Sequence, residues 1–151
     1  MNSSMKNLLM NTEDYINHIF EKGDKMLVAR FMGTEEWKKI NCGMELTSEK
    51  RFKCRTASTG FCFIPLEKIE DINFVFSFLN GIVSDDFVII FETKENSNLR
   101  ESWGVYADPM GSWGDVITVT EYCTNKYSIE TLTPIAYGVI DKHYHWNVFQ
   151  W

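Results

Sequence analysis

The sequence predicts an α+β fold: a mostly antiparallel sheet, with helices concentrated in the N-terminal half. Three observations lead there. Helical spacing of apolar residues is confined to segments ending at residue 82. From Asp86 onward the period changes and the chain becomes a series of β-rich segments. The links between those segments are short, and a parallel pair would need a crossover of about a dozen residues or more. Helices in one half and consecutive strands in the other are the signature of an α+β arrangement.

The elements follow in order. Segment 12–22, TEDYINHIFEK, sets Tyr15, Ile16, Ile19 and Phe20 on one helical stripe, with Asn11 or Thr12 as cap and Gly23 as stop. KMLVARF at 25–31 is a short apolar run suited to a buried strand ended by Gly33. Thr34 then opens EEWKKIN as a helix whose acidic first turn suits the positive end of the helix dipole, and Gly43 closes it. A basic stretch follows, with Lys50, Arg51, Lys53 and Arg55, before ASTGFCFIP enters a strand that Pro65 should terminate. EDINFVFSFLNGI at 70–82 is long enough for a mostly buried helix, although its aromatic and β-branched content also permits a strand. FVIIFET, WGVYAD, DVITVTEYC and TPIAYGVID are then four strands separated by polar or Gly-Pro turns.

A single domain over 1–151 accounts for the length: 44% hydrophobic and 15% aromatic content build one core, and no repeat or low-complexity linker divides the chain. Twenty-one acidic against 15 basic residues give a formal charge of −6, which disfavours gripping a phosphate backbone by bulk electrostatics. No stretch approaches the ~20 apolar residues of a membrane span. The N-terminus has no apolar signal core, so Cys42, Cys54, Cys62 and Cys123 are expected as reduced thiols in the cytoplasm. There is no CxxC. A zinc site would have to gather scattered residues such as Cys54, Cys62, His143 and His145, and no metal site is predicted.

Three positions invite chemistry, and a histidine pair is a weaker fourth. Arg30 lies inside an apolar run, and a guanidinium keeps its charge, so it needs an anionic partner: a carboxylate or solvent in the simple case, a bidentate phosphate in the sharper one. Ser58, Thr59 and Gly60 put two hydroxyls and a glycine just ahead of a strand, as an ordinary turn or as a place where backbone approaches a ligand. Glu121 shares a strand face with Ile117 and Val119, so a half-buried carboxylate is either structurally satisfied or functional. His143 and His145 would share one side of a strand, as a metal or acid/base pair or as surface residues.

In their order along residues 25–141, these motifs resemble the ADP-ribosyltransferase-like fold in its Arg-Ser-Glu form: LVARF followed by the helix TEEWKKINCG, then ASTGFCF, then VTEYC. The resemblance implies NAD as cofactor. Arg30 would meet its phosphates, Ser58 would help position the nicotinamide ribose and the catalytic acid, and Glu121 would bond a ribose hydroxyl. Thr59, Gly60, Phe61 and Tyr106 would complete the cofactor pocket, with Tyr122 a further aromatic candidate. Trp113, in the turn DPMGSWG, would touch the acceptor or fold back onto the core. A carboxylate beside the breaking nicotinamide–ribose bond stabilises the oxocarbenium-like state that develops there. The implied activity is NAD-dependent mono-ADP-ribosyl transfer to a protein or nucleic-acid target, as in a toxin or effector, or NAD glycohydrolysis. Two departures shape it. Val119 stands where arginine-modifying members carry a second acid, so arginine is not the implied acceptor, and the serine element reads STG. Asp115 is an alternative acid.

The rival reading is non-enzymatic. An acidic interaction protein, such as a small inhibitor or antitoxin, would use its negative surface to dock onto a partner and block that partner's nucleic-acid-binding site.

Overall fold

Strands rich in Val, Ile and Phe, each only five to nine residues long apart from one two-residue pair, dominate the described residues because such side chains pack well on a pleated surface. The computed structural model describes residues 26–48, 60–67, 87–107, 112, 114–140 and 146–151. Strand β1 (Leu27–Met32) is followed by helix α1 (Thr34–Asn41) and a short β2 (Leu46–Thr47). Then come β3 (Phe61–Leu66), β4 (Phe87–Thr93), β5 (Arg100–Ala107), β6 (Val116–Thr124), β7 (Lys126–Tyr127), β8 (Leu132–Ile140) and β9 (Trp146–Gln150). Seven of the strands form one sheet in the order β5-β6-β3-β1-β4-β8-β9, and β2 pairs with β7 in a small ribbon. Each pairing is antiparallel.

β3 is a hinge between two halves of this sheet. Phe61–Phe63 pair with β6, whereas Ile64–Leu66 pair with β1. Pro65 sits inside β3 rather than ending it, because here the strand has already left β6 and has a ladder on one side only.

Helix α1 starts at Gly33, whose extended backbone accepts from the Trp37 amide at 3.1 Å without any side-chain cap. Glu35 and Glu36 occupy its first turn, and Lys38 and Lys39 its last. Gly43, at φ +78°, closes it as anticipated, donating to the Ile40 carbonyl at 2.9 Å.

Both faces of the sheet are buried at its middle strands, β3, β1 and β4. On one, Val28, Met32, Phe63, Ile89 and Phe91 pack with Ile40 of α1, Tyr127 of the ribbon and Leu132. On the other, Leu27, Ala29, Ile64, Leu66, Val88, Ile90 and Cys123 are also withdrawn from water. Alternate residues of β1 and β4 thus feed two cores, which explains their nearly unbroken apolar runs.

The expected α+β class, with helices concentrated in the N-terminal half, is corrected by this architecture. The fold is sheet-dominated, and the described residues contain one short helix. The physical reason lies in β1 and β3: these N-terminal-half strands form the middle of the sheet instead of a helical layer. The helices read at 12–22 and 70–82 lie outside the described residues. The four late strands do form, as β4, β5, β6 and β8, and β9 adds a fifth at the edge.

Candidate functional site

Arg30 projects from β1 onto the face covered by α1 and the ribbon. Its Nε and Nη2 donate to Glu36 at 2.6 and 2.8 Å, a two-pronged ion pair, and its Nη1 donates to the Cys62 carbonyl at 3.1 Å. The guanidinium lies 5.1 Å from the Phe61 ring centre and 5.8 Å from that of Phe63. Glu36 Oε2 also accepts from the Tyr127 hydroxyl at 2.7 Å. Burial pulls the Arg30 pKa down, but the hydrogen bond and charge of Glu36 more than reverse this and hold it above its ordinary value. Burial raises the Tyr127 phenol, and the Glu36 charge raises it further against the opposing pull of Arg30. The carboxylate partner of the simple reading is therefore Glu36, and the guanidinium fork is already filled.

Glu121 is fully buried on the opposite face. It stands opposite Ser102 in register, on the side of β6 shared with Cys123, whose cross-strand partner is Cys62. The two sulfurs are 3.3 Å apart, and the ligand atoms of Cys62, Cys123 and Glu121 all lie within 4.8 Å of one another. β5 makes room for the carboxylate with Gly104: a Cβ there would fall 2.7 Å from Glu121 Cδ. Because Cys62 alternates with Phe61 and Phe63, Glu121 and Arg30 are separated by the thickness of the sheet. They do not line one cleft.

Among the other residues read from the sequence, Phe61 does meet Arg30, edge-on to Tyr127 at 4.9 Å between ring centres. Gly60, at φ +78°, fits against Asn125: a Cβ on it would lie 2.6 Å from Asn125 Oδ1, so its missing side chain serves packing. Tyr106 lies on β5 opposite Ile117. Tyr122 is opposite Phe63 in register. Asp115 accepts from the Ser112 amide at 2.7 Å and pins an exposed turn. Ser58, Thr59, Trp113, Cys54, His143 and His145 lie outside the described residues. Among the described residues, Cys42, Cys62 and Cys123 form no disulfide. Among the described residues, no helix is long and apolar enough to cross a membrane.

The sequence reading missed an aromatic cluster where α1 meets the β8–β9 edge. Trp37 stacks on Phe87 with ring centres 4.7 Å apart and planes 5° from parallel. It also touches Tyr137 at 4.8 Å and meets Trp151 edge-on at 5.4 Å. Tyr137 stacks on its cross-strand partner Phe149 at 5.2 Å. None of these five rings is fully buried, and Trp151 is 39% exposed. The Trp37 spacing within α1 was a usable signal, but its partners come from strands 50 and more positions away in the sequence. No protein-family model, curated protein or solved structure matches the chain.

Proposed function

We propose that the protein is a non-catalytic interaction domain that docks its half-exposed aromatic cluster onto an arginine-bearing basic protein surface. The observation that carries this reading is the cluster itself. Trp37, Phe87, Tyr137, Phe149 and Trp151 spend ring faces on one another yet stay partly open to solvent at a sheet edge. Aromatic anchors of this kind dominate protein contacts, because they offer large rigid area at low entropic cost. The formal charge of −6 selects the sign of the partner. Guanidinium groups join both features, since they stack on aromatic faces and answer negative charge. A basic surface that blocks easily in this way is typical of nucleic-acid-binding proteins, so inhibition of such a partner is the role we infer.

NAD chemistry is the other function the sequence suggested. It asks one ligand to meet both Arg30 and Glu121, whereas the Arg30 fork is engaged with Glu36 and Glu121 projects from the other face.

The test compares an arginine-rich peptide with a lysine peptide of equal length and charge, titrated against tryptophan fluorescence. Tighter binding of the arginine peptide, weakened about tenfold or more by Trp151→Ala, supports the proposal. Equal binding of the two peptides, or an affinity indifferent to Trp151→Ala, overturns it. Nicotinamide release from NAD that disappears in Glu121→Gln would replace it with the enzymatic reading.

A further inference from the structure

We propose that Cys62, Cys123 and Glu121 form a buried binding site for a thiophilic divalent cation, with Zn²⁺ the ion whose ligand preferences they match. The proposal rests on convergence from three strands. Cys62 of β3 and Cys123 of β6 are direct cross-strand partners on one sheet face, and Glu121 lies two residues before Cys123 on that same face. All three ligand atoms fall within 4.8 Å of one another. The third strand contributes an absence of side chain. Gly104 of β5 leaves the space that the Glu121 carboxylate occupies, so that a methyl group there would lie 2.7 Å from Cδ.

Two thiolates and one carboxylate are a donor set suited to zinc, which takes sulfur at about 2.3 Å and carboxylate oxygen at about 2.0–2.2 Å. Two sulfurs on a tetrahedral zinc stand about 3.8 Å apart. The observed separation of 3.3 Å reaches that value by opening about half an ångström. A disulfide bond, at about 2.05 Å, demands more than twice that movement in the other direction.

Binding converts the two thiols to thiolates and releases two protons. The dication with two thiolates and one carboxylate then carries a net charge of −1, and the register places Arg100 of β5 opposite Cys123. Three protein ligands leave one tetrahedral position for water or a further donor. Entry is from the Cys62 side: Cys62 is half-buried, whereas Glu121 and Cys123 are 0% and 2% exposed. This site faces away from the aromatic cluster and does not depend on it.

The full-length reduced chain, stripped with a chelator, is titrated with Co²⁺ and then Zn²⁺. The expected result is one ion per chain by elemental analysis, a thiolate-to-cobalt charge-transfer absorption, and its bleaching by one equivalent of Zn²⁺. Cys62→Ser and Cys123→Ser abolish that absorption, Cys42→Ser keeps it, and Glu121→Gln weakens binding on the order of tenfold or more. Should the cysteine variants fail to fold, the wild-type chain still decides: Zn²⁺ must shield two of its four thiols from a thiol reagent, and chelator must expose them again. Absence of the charge-transfer band, its survival in Cys62→Ser, unshielded thiols, or a Cys62–Cys123 disulfide in the freshly isolated chain each overturns the proposal.

Discussion

Glu36 binds Arg30 through both carboxylate oxygens, at 2.6 and 2.8 Å, across a gap of six residues that spans the end of β1 and the first turn of α1. The pair is mostly shielded, with side chains 14% and 19% exposed, and it fastens the helix to the sheet. Removing one member strands the other. Glu36→Ala should cost about 3 kcal/mol, because Arg30 cannot shed its charge. The double replacement Arg30→Met with Glu36→Leu should lose less than Glu36→Ala alone. Urea unfolding of the single and double variants measures this, and a loss below about 1 kcal/mol for Glu36→Ala would show a pair that solvent screens.

Tyr127 ties the same carboxylate to the ribbon, and its raised pKa gives stability an alkaline limit. In the unfolded chain the phenol titrates near 10. In the folded protein, burial and then the Glu36 charge, opposed by Arg30, hold it well above that. Below pH 10 both states keep the proton and the contribution is complete. Above pH 10 only the unfolded state releases it, so stability falls with a slope approaching about 1.4 kcal/mol per pH unit. Tyr127→Phe should be about 1 kcal/mol less stable at neutral pH and flatter between pH 10 and 11. Urea midpoints of both proteins from pH 8 to 11 test this; parallel curves would remove Tyr127 from the alkaline limit.

The legibility of the fold in the sequence divides along local and distant causes. The β-branched run FVIIFET, the alternating DVITVTEYC, and the helix TEEWKKIN with its glycine stop were readable because propensity and burial pattern act within a few residues. Strand order was not. That β1 and β3 occupy the sheet centre depends on pairings such as Ala29 with Ile64, which leave no local trace. At the site, the need of Arg30 for an anion was legible, and the choice of Glu36 over a phosphate was not. Alternation did place Glu121 with Ile117 and Val119, but it could not say that Arg30 faces the other way, because that follows from the cross-strand register of β3. The meeting of Cys62 with Cys123, 61 positions apart, is invisible for the same reason.

Gly60 illustrates a residue whose type was noticed for a different reason than the one that holds it. Its φ of +78° lies in the left-handed region, and an added Cβ would sit 3.0 Å from the Asn125 Cα as well as against its side chain. Backbone strain and overlap with main chain therefore act together. Gly60→Ala should destabilise by about 2–3 kcal/mol. Thermal unfolding is the check, and a loss under about 0.5 kcal/mol would mean that the β3 entry simply shifts.

Gly104 and Glu121 make the sharper test, because the conflict lies between two side chains and can be relieved. Gly104→Ala alone places a methyl group against a fully buried carboxylate that has little room to retreat, and should cost about 2 kcal/mol. Glu121→Ala alone removes a buried acid and leaves its volume empty, with a cost of similar size. If the two share one space, the alanine methyl in the double variant partly fills the gap left by the carboxylate. The combined loss should then fall short of the sum of the single losses by about 1 kcal/mol or more. A double-mutant cycle by urea denaturation gives that coupling energy directly, and additivity within about 0.3 kcal/mol would show that the carboxylate does not occupy the place above Gly104.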